Sequence, residues 1–308
     1  DTSISADTDD QIDIKIAGQD DFQFTANTFT AQSGSTIAAQ ALTATTVTAS
    51  GDLTVDTDTL KVDASEDTVC INTTDTNFDA GADDLIVGSG SGDSGITIYT
   101  GGSVGDKGSI FFADATVGSS AEKKGQISYE QNNEIMTFFT NDTLAQQIDA
   151  NGIITTPKQP IFEVTKGSEQ TLSSSTLTLL TFDTEVYDLN SDFDLSNDKF
   201  IAPVDGKYML QAYITTGTMV AGAGIGLVWQ KTPSGGSEGV FKHGHSQSTE
   251  INITFGLDAT LVVDLDAGDA IRLYGYHGSG SNQSFGAANN QFSGTSANSN
   301  YWSGQLIG

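Results

Sequence analysis

The chain has 308 residues, with 40 Asp plus Glu against 12 Lys plus Arg and a formal net charge of −28. It offers no basic stripe to neutralise phosphates and would be repelled by anionic membrane surfaces, so nucleic-acid binding and membrane insertion are both set aside. Its single cysteine, Cys70, excludes an internal disulfide, and no apolar run approaches the ~18 residues of a membrane span. The acids are interleaved with Ile, Val, Leu and Phe, which argues for folded faces turned to solvent rather than disorder. No signal peptide is visible, and a start at Asp1 rather than Met is expected of a chain cut from a longer protein or only partly observed.

Read in chain order, the chain predicts strands almost throughout. Ile12, Ile14 and Ile16 alternate with Asp13 and Lys15, and Phe22 and Phe24 follow. Leu53 and Val55, Leu60 and Val62, Val69 and Ile71, Ile96 and Ile98, and Ile127 and Tyr129 continue the period of two, separated by Gly, Ser, Asn and Asp. Only "STIAAQALTATTVTAS" (35–50) has the alanines of a helix, and its threonines argue against one. Up to about residue 156 the strands are short and polar-rich. One such chain buries too little apolar area to offset an ordering cost of ~1–2 kcal/mol per residue. Three chains wound about one axis, each turning a thin apolar edge inward, do so and leave no free sheet edge. A disordered Thr/Asp-rich linker is the other reading, and the regular alternation counts against it.

Five segments carry a more specific signal: "ADTDDQIDIKIAGQDDFQFTANTFT" (6–30), "DLTVDTDTLKVDASEDTVCI" (52–71), "GADDLIVGSGSGDSGITIYTGG" (81–102), "GSIFFADATVGSS" (108–120) and "LAQQIDANGIITTP" (144–157). They resemble shaft modules of marine bacteriophage tail fibres, in which an LxVDxxxxxVGI segment precedes further β modules and RIDxxGxxxI closes the unit. Cys70 stands where Gly is usual and Gln147 where Arg is usual. The resemblance covers roughly residues 1–157 and implies an elongated, trimeric, β-rich shaft.

Pro157 and Pro160 in "TTPKQP" mark a boundary, because neither can donate to a ladder. Beyond it the strands lengthen and aromatics become denser, in "TLTLLTFDTEVYD" (176–188), "GKYMLQAYIT" (206–215), "GIGLVWQK" (224–231) and "ATLVVDL" (259–265). About 150 residues with strands at this spacing suggest a sandwich or jelly roll. The set Phe200, Ala202, Pro203, Gly206 and Tyr208, the Gly268–Asp269 turn, and the closing Trp302, Ser303, Gly304, Leu306 and Ile307 resemble the jelly roll of the complement globular-head and tumour necrosis factor superfamily. That resemblance implies a compact, ligand-binding trimer that is not an enzyme. The expected architecture is all-β: an intertwined fibre shaft over 1–157, followed by a C-terminal β-sandwich jelly roll over 158–308.

No phosphate loop or His-Glu-x-x-His motif occurs, the Gly-x-Ser-x-Gly strings at 101–105 and 235–239 lead into no helical pattern, and nothing marks out one carboxylate pair for glycoside hydrolysis. Cys70 reads as a small buried residue. Asp188, Asn190, Asp192 and Asp194 alternate like the start of a calcium loop, but Phe193 and Lys199 stand where an EF-hand needs Gly and Glu; solvated loop acids are the competing reading. The segment 278–300 is long and uncharged, with Phe285, Asn289, Asn290 and Phe292 beside many hydroxyls and amides. Amides and hydroxyls next to aromatic faces suit sugars, and Tyr274, Tyr276 and His277 run into it. It reads as a receptor-binding loop or as a flexible decoration.

His243 and His245 are two apart and, on a regular strand, share a face. Two imidazoles fall short of a zinc site. If that face meets a threefold axis, the two become six, enough for an octahedral transition metal. The pair is similar to His-x-His pairs stacked around iron in some phage long-tail-fibre tips. A half-buried pair at a subunit contact or on an outer sheet is the alternative. The whole chain is therefore expected to be a virion tail-fibre protein, extracellular and homotrimeric. Its partners would be two identical chains, upstream virion tail proteins and a host-surface receptor, glycan or protein. A fibre that binds no receptor, a polysaccharide-degrading tip and a bacterial adhesin are the rival readings.

Overall fold

The computed structural model describes residues 3–6, 12–16, 19–25, 28–31, 48–49, 51–55, 59–75, 78–79, 81–115, 120–248, 256–286 and 300–308. Among them there is no α-helix, only a short 3-10 turn at Ser120–Lys123. The helix-or-strand question at 35–47 lies outside the described residues. The chain forms two compact units, Asp1–Thr97 and Ile98–Gly308.

The first unit holds two small sheets. Strands β1 (Ser3–Ala6), β2 (Ile12–Ile16), β3 (Gln19–Thr25) and β4 (Thr28–Ala31) form an antiparallel meander. Ile12 pairs with Phe24 and Phe24 with Phe29, so apolar side chains meet across the ladder, and the Phe24 and Phe29 rings stack at 4.8 Å. In the second sheet β5 (Leu53–Val55), β6 (Leu60–Asp63) and β7 (Thr68–Ile71) are antiparallel, and β8 (Leu85–Val87) joins β7 in parallel. Cys70 pairs with Ile86, and both are buried, in keeping with the reading of Cys70 as a small buried residue. The β6–β7 turn is held by the Asp63 carboxylate, which accepts from the Ser65 amide and hydroxyl and from the Glu66 amide.

The segment that ends the first unit and begins the second departs from expectation. Ile96 and Ile98 alternate as a strand should, yet residues 93–100 enter no ladder, and both side chains are exposed. A five-stranded antiparallel meander follows: β9 (Lys107–Phe112), β10 (Gly125–Glu130), β11 (Ile135–Thr140), β12 (Thr143–Ile148) and β13 (Ile154–Thr155). Asn141 and Asp142, both at positive φ, make the two-residue turn between β11 and β12. After β12, Asp149 accepts from the Asn151 and Ile153 amides while Gly152 takes φ +79°. This is the physical content of the Ile-Asp-x-x-Gly motif: the acid organises a turn that only glycine completes without strain.

The remaining strands are β14 (Ile161–Thr165), β15 (Gln170–Leu172), β16 (Thr178–Leu179), β17 (Thr184–Asp188), β18 (Phe193–Asp194), β19 (Lys199–Ile201), β20 (Gly206–Thr215), β21 (Gly224–Thr232), β22 (Gly239–Ser248), β23 (Gly256–Leu265), β24 (Ala270–His277), β25 (Gln283–Phe285) and β26 (Tyr301–Leu306). One sheet runs β17-β14-β26-β20-β23 and the other β18-β19-β24-β21-β22, with β16 also on β24 and β15–β25 as a small separate pair. The chain passes from β20 to the second sheet for β21 and β22, returns for β23, crosses again for β24 and closes on β26 between β14 and β20. That alternation between two sheets is a jelly roll. The predicted strand at 176–188 is broken into β16 and β17, with Leu180 and Phe182 between them turned into the core.

Period two builds the sandwich core. Along β23 exposed and buried residues alternate without a break. Phe162, Gly304, Leu210 and Leu261 form one inward row across four strands, and Val164, Trp302, Ala212 and Ala259 the next. Glycine is required in the first row: a Cβ on Gly304 would stand 2.5 Å from Phe162 Cε1 and 2.6 Å from Leu210 Cδ2. Trp302 touches the rings of Phe162, Phe193 and Trp229 at centroid distances of 5.6, 4.9 and 5.6 Å. Each such side chain contributes ~1.5–3 kcal/mol on burial.

Candidate binding surfaces

The outward residues of β24 are Arg272, Tyr274 and Tyr276, since Ile271, Leu273 and His277 are buried. Opposite them on β21 stand Gln230, Val228 and Gly226. The loop before β22 brings Glu238 over this row. Arg272 Nη1 donates to Glu238 Oε1 at 3.0 Å, and the Tyr274 hydroxyl donates to Oε2 at 3.0 Å. Arg272 Nε reaches the Asn197 carbonyl at 3.4 Å. Burial first, and then the Glu238 carboxylate, push the Tyr274 phenol up to about 12, so it stays a neutral donor. Tyr276 is 37% exposed. The reading from sequence had named Tyr274 and Tyr276 and missed Arg272 and Glu238. Arg272 was legible, two residues before Tyr274 on the same strand. Glu238 was not, because only the fold carries its loop there.

Two residues expected at the receptor surface belong to the core. His277 is 0% exposed: Nε2 bonds the Leu172 carbonyl at 3.0 Å and Nδ1 the Ser279 hydroxyl at 2.8 Å. Phe285 is also 0% exposed, its ring 5.9 Å from that of His277. Neither reaches a ligand outside the domain. The strand alternation that turns Tyr274 and Tyr276 outward turns His277 inward, and Phe285 is carried on β25, which pairs with β15. Asn289, Asn290 and Phe292 lie outside the described residues.

The expected calcium loop does not converge. Asp188 accepts from the Asp192 and Phe193 amides, at 3.0 and 2.8 Å. Asp194 accepts from the Ser196 and Asn197 amides and lies 3.6 Å from Lys199 Nζ, while Asn190 Nδ2 donates to the Gln159 carbonyl. The Asp188 and Asp194 carboxylates brace turns, and Asp194 also faces one cation. Asp192 alone keeps a buried oxygen, Oδ2, without a hydrogen-bond partner. Among the described residues no three His, Cys, Asp or Glu side chains are grouped to hold a metal ion.

His243 and His245 lie on β22, and their side chains lie outside the described residues. The backbone register bears on them: His243 pairs with Val228 and His245 with Leu227, with a shift between, so Gly244 is an extra residue.

The outward face of the β17-β14-β26-β20-β23 sheet is a second surface. A groove of about 350 Å³ runs along it, lined by Ile161, Glu163, Tyr187, Met209, Gln211 and Tyr301 among others. Tyr213 and Tyr301 stack beside it at 6.5 Å. The Tyr187 hydroxyl donates to Glu163, the ionisable group facing it, at 3.4 Å.

No protein-family profile matches the chain, and no curated protein matches it. Solved structures do. The globular domain of zebrafish complement 1qA is 17% identical, over 49% of this chain and 98% of that one, with a TM-score of 0.33. Murine APRIL is 12% identical, over 49% and 100%, at 0.36, and Eiger TNF from S. frugiperda 10% identical, over 49% and 92%, at 0.35. The strand order described above, rather than these likenesses, defines the jelly roll.

Proposed function

We propose that the chain is one subunit of a homotrimeric virion tail fibre, extracellular, whose jelly-roll tip binds a receptor on the host-cell surface. Upstream virion tail proteins are its other partners. The observation that carries this is a contrast in burial. Among the described residues, the buried hydrophobic side chains before residue 160 are Cys70 and Ile86, while those beyond it fill a complete core. Ile4, Ile16, Phe24, Phe29, Tyr99, Phe111 and Phe112 remain exposed on the single chain. Two buried side chains at ~1.5–3 kcal/mol each cannot offset backbone ordering at ~1–2 kcal/mol per residue. Copies of the same chain supply the missing burial. At the tip, the groove that joins exposed Tyr187 to half-buried Met209 and Tyr301, with Glu163 its one charged lining residue, suits the same self-association. Three tips on one fibre then multiply modest receptor affinities.

Light scattering on the purified full chain is expected to return three times the mass of one chain, and a folded monomer would end the proposal. Binding to a panel of whole bacterial cells, saturable and strain-specific, separates a receptor-binding fibre from one that only builds the virion. Release of reducing sugar from surface glycan would point instead to a polysaccharide-degrading tip.

A further inference from the structure

We propose that the outward row of β24, with Arg272, Tyr274 and Tyr276, together with Glu238 from the loop before β22, is a subsite for an uncharged hexose ring of a surface glycan. This rests on the receptor-binding reading above and names the ligand class for it.

A hexose presents two kinds of surface at once. Its axial C–H groups form apolar patches that lie on aromatic faces, and its hydroxyls each need a donor and an acceptor. The row offers both in sequence along one strand. Tyr276 supplies an exposed ring, and Gly226 and Val228 opposite the two tyrosines carry no long side chain to compete for the ring faces. Four residues away along the strand, Arg272 and Glu238 stand side by side. Glu238 accepts one bond on each carboxylate oxygen, from Arg272 and from Tyr274, and each oxygen keeps a further lone pair. Arg272 uses Nη1 and Nε in described bonds and retains other N–H donors. A donor and an acceptor are thus held adjacent at one end of an aromatic platform, without the entropy cost of ordering free side chains on binding.

Charge selects the class of occupant. Arg272 and Glu238 neutralise each other, so the row carries no net charge of its own. A chain with a formal net charge of −28 repels acidic glycans and phosphates at long range. A cationic peptide would meet the Arg272 guanidinium directly beside the Glu238 carboxylate. An uncharged sugar meets neither obstacle.

The test uses saturation-transfer NMR on the full chain. The probes are methyl glycosides of galactose, glucose and mannose, with N-acetylneuraminic acid and glucose 6-sulfate as anionic comparators. The expected result is transfer to the ring protons of at least one neutral glycoside, weakened about tenfold by Tyr276→Ala and by Glu238→Ala and preserved by Tyr276→Phe. Because Tyr276→Phe keeps the ring and its packing, it separates loss of the platform from loss of the fold. Binding of anionic sugars alone, or unchanged binding in Tyr276→Ala, overturns the proposal. Adhesion to whole cells, measured in parallel, tells the two readings apart. A chain that adheres but takes up no neutral glycoside overturns the sugar and keeps the fibre's receptor role. One that binds a glycoside through Tyr276 but adheres to no cell supports the subsite and removes that role.

Discussion

Lys231 Nζ stands 2.5 Å from Asp269 Oδ2, and this pair ties the end of β21 to the turn between β23 and β24. The Asp269 side chain is 2% exposed and also accepts from the Ser234 and Asp266 amides. Burial raises its pKa, but the Lys231 ammonium and the two amides outweigh that and hold it below the usual carboxylate range. A carboxyl depressed in the folded state adds stability above its unfolded value of about 4 and loses it as pH falls through the folded value. Asp269→Ala strands a partly buried ammonium and is expected to cost about 3 kcal/mol at neutral pH. Urea unfolding at neutral and acid pH checks this; a cost that does not shrink in acid would mean the charge is not what holds the turn.

Asp192 runs the other way. Burial first, and then the neighbouring Asp188, raise its pKa, and its Oδ2 has no hydrogen-bond partner. A carboxyl raised in the folded state favours folding below its unfolded value and withdraws that contribution as pH rises through the folded value. Asp192→Asn is expected to stabilise the tip by about 1 kcal/mol at neutral pH and to change nothing near pH 3. Thermal midpoints at the two pH values decide it.

Gly304→Ala places a methyl group between Phe162 and Leu210, in a row with no spare room. Overpacking of this kind costs about 1–3 kcal/mol. The midpoint of unfolding should fall accordingly, and an unchanged midpoint would show that the Phe162 ring yields.

His277→Phe keeps an aromatic next to Phe285 but leaves the Leu172 carbonyl without its imidazole partner. The expected loss is about 1–3 kcal/mol in unfolding free energy. Whole-cell adhesion of the folded variant should match the parent, because this histidine supports the surface from beneath rather than forming it.

Met209→Glu introduces a carboxylate into the aromatic groove beside Glu163. Sedimentation velocity should show the proposed trimer weakened, with far-UV circular dichroism of the sandwich retained. Val240→Glu, exposed on the edge strand β22, is the control and should leave the assembly intact. If the two behave alike, the groove is not the association face.

The long strands of the sandwich were readable from sequence, because alternation in Gly206–Thr215 and Gly256–Leu265 is a property of neighbouring residues and needs no partner to be seen. The same rule failed at Ile96 and Ile98, where alternation exists without a strand to pair with, and at 176–188, where Leu180 and Phe182 are drawn into the core and break the run. It also misled at the candidate site. Tyr274 and Tyr276 do face outward, but Phe285 looked like a platform only because its loop is polar, and Asp188 and Asp194 looked like ligands until their turns claimed them.

By itself, then, the amino-acid sequence determined that the chain is all-β, that it is strongly acidic, and that its two halves differ in how much apolar surface they can bury. These follow from composition and from the period of two, which are local. The tertiary structure alone decided which aromatic faces solvent and which fills the core, and that Glu238 closes on Arg272 and Tyr274. Such pairings join residues 34 and 36 positions apart, and nothing in a strand's own pattern specifies which distant loop will cross its face.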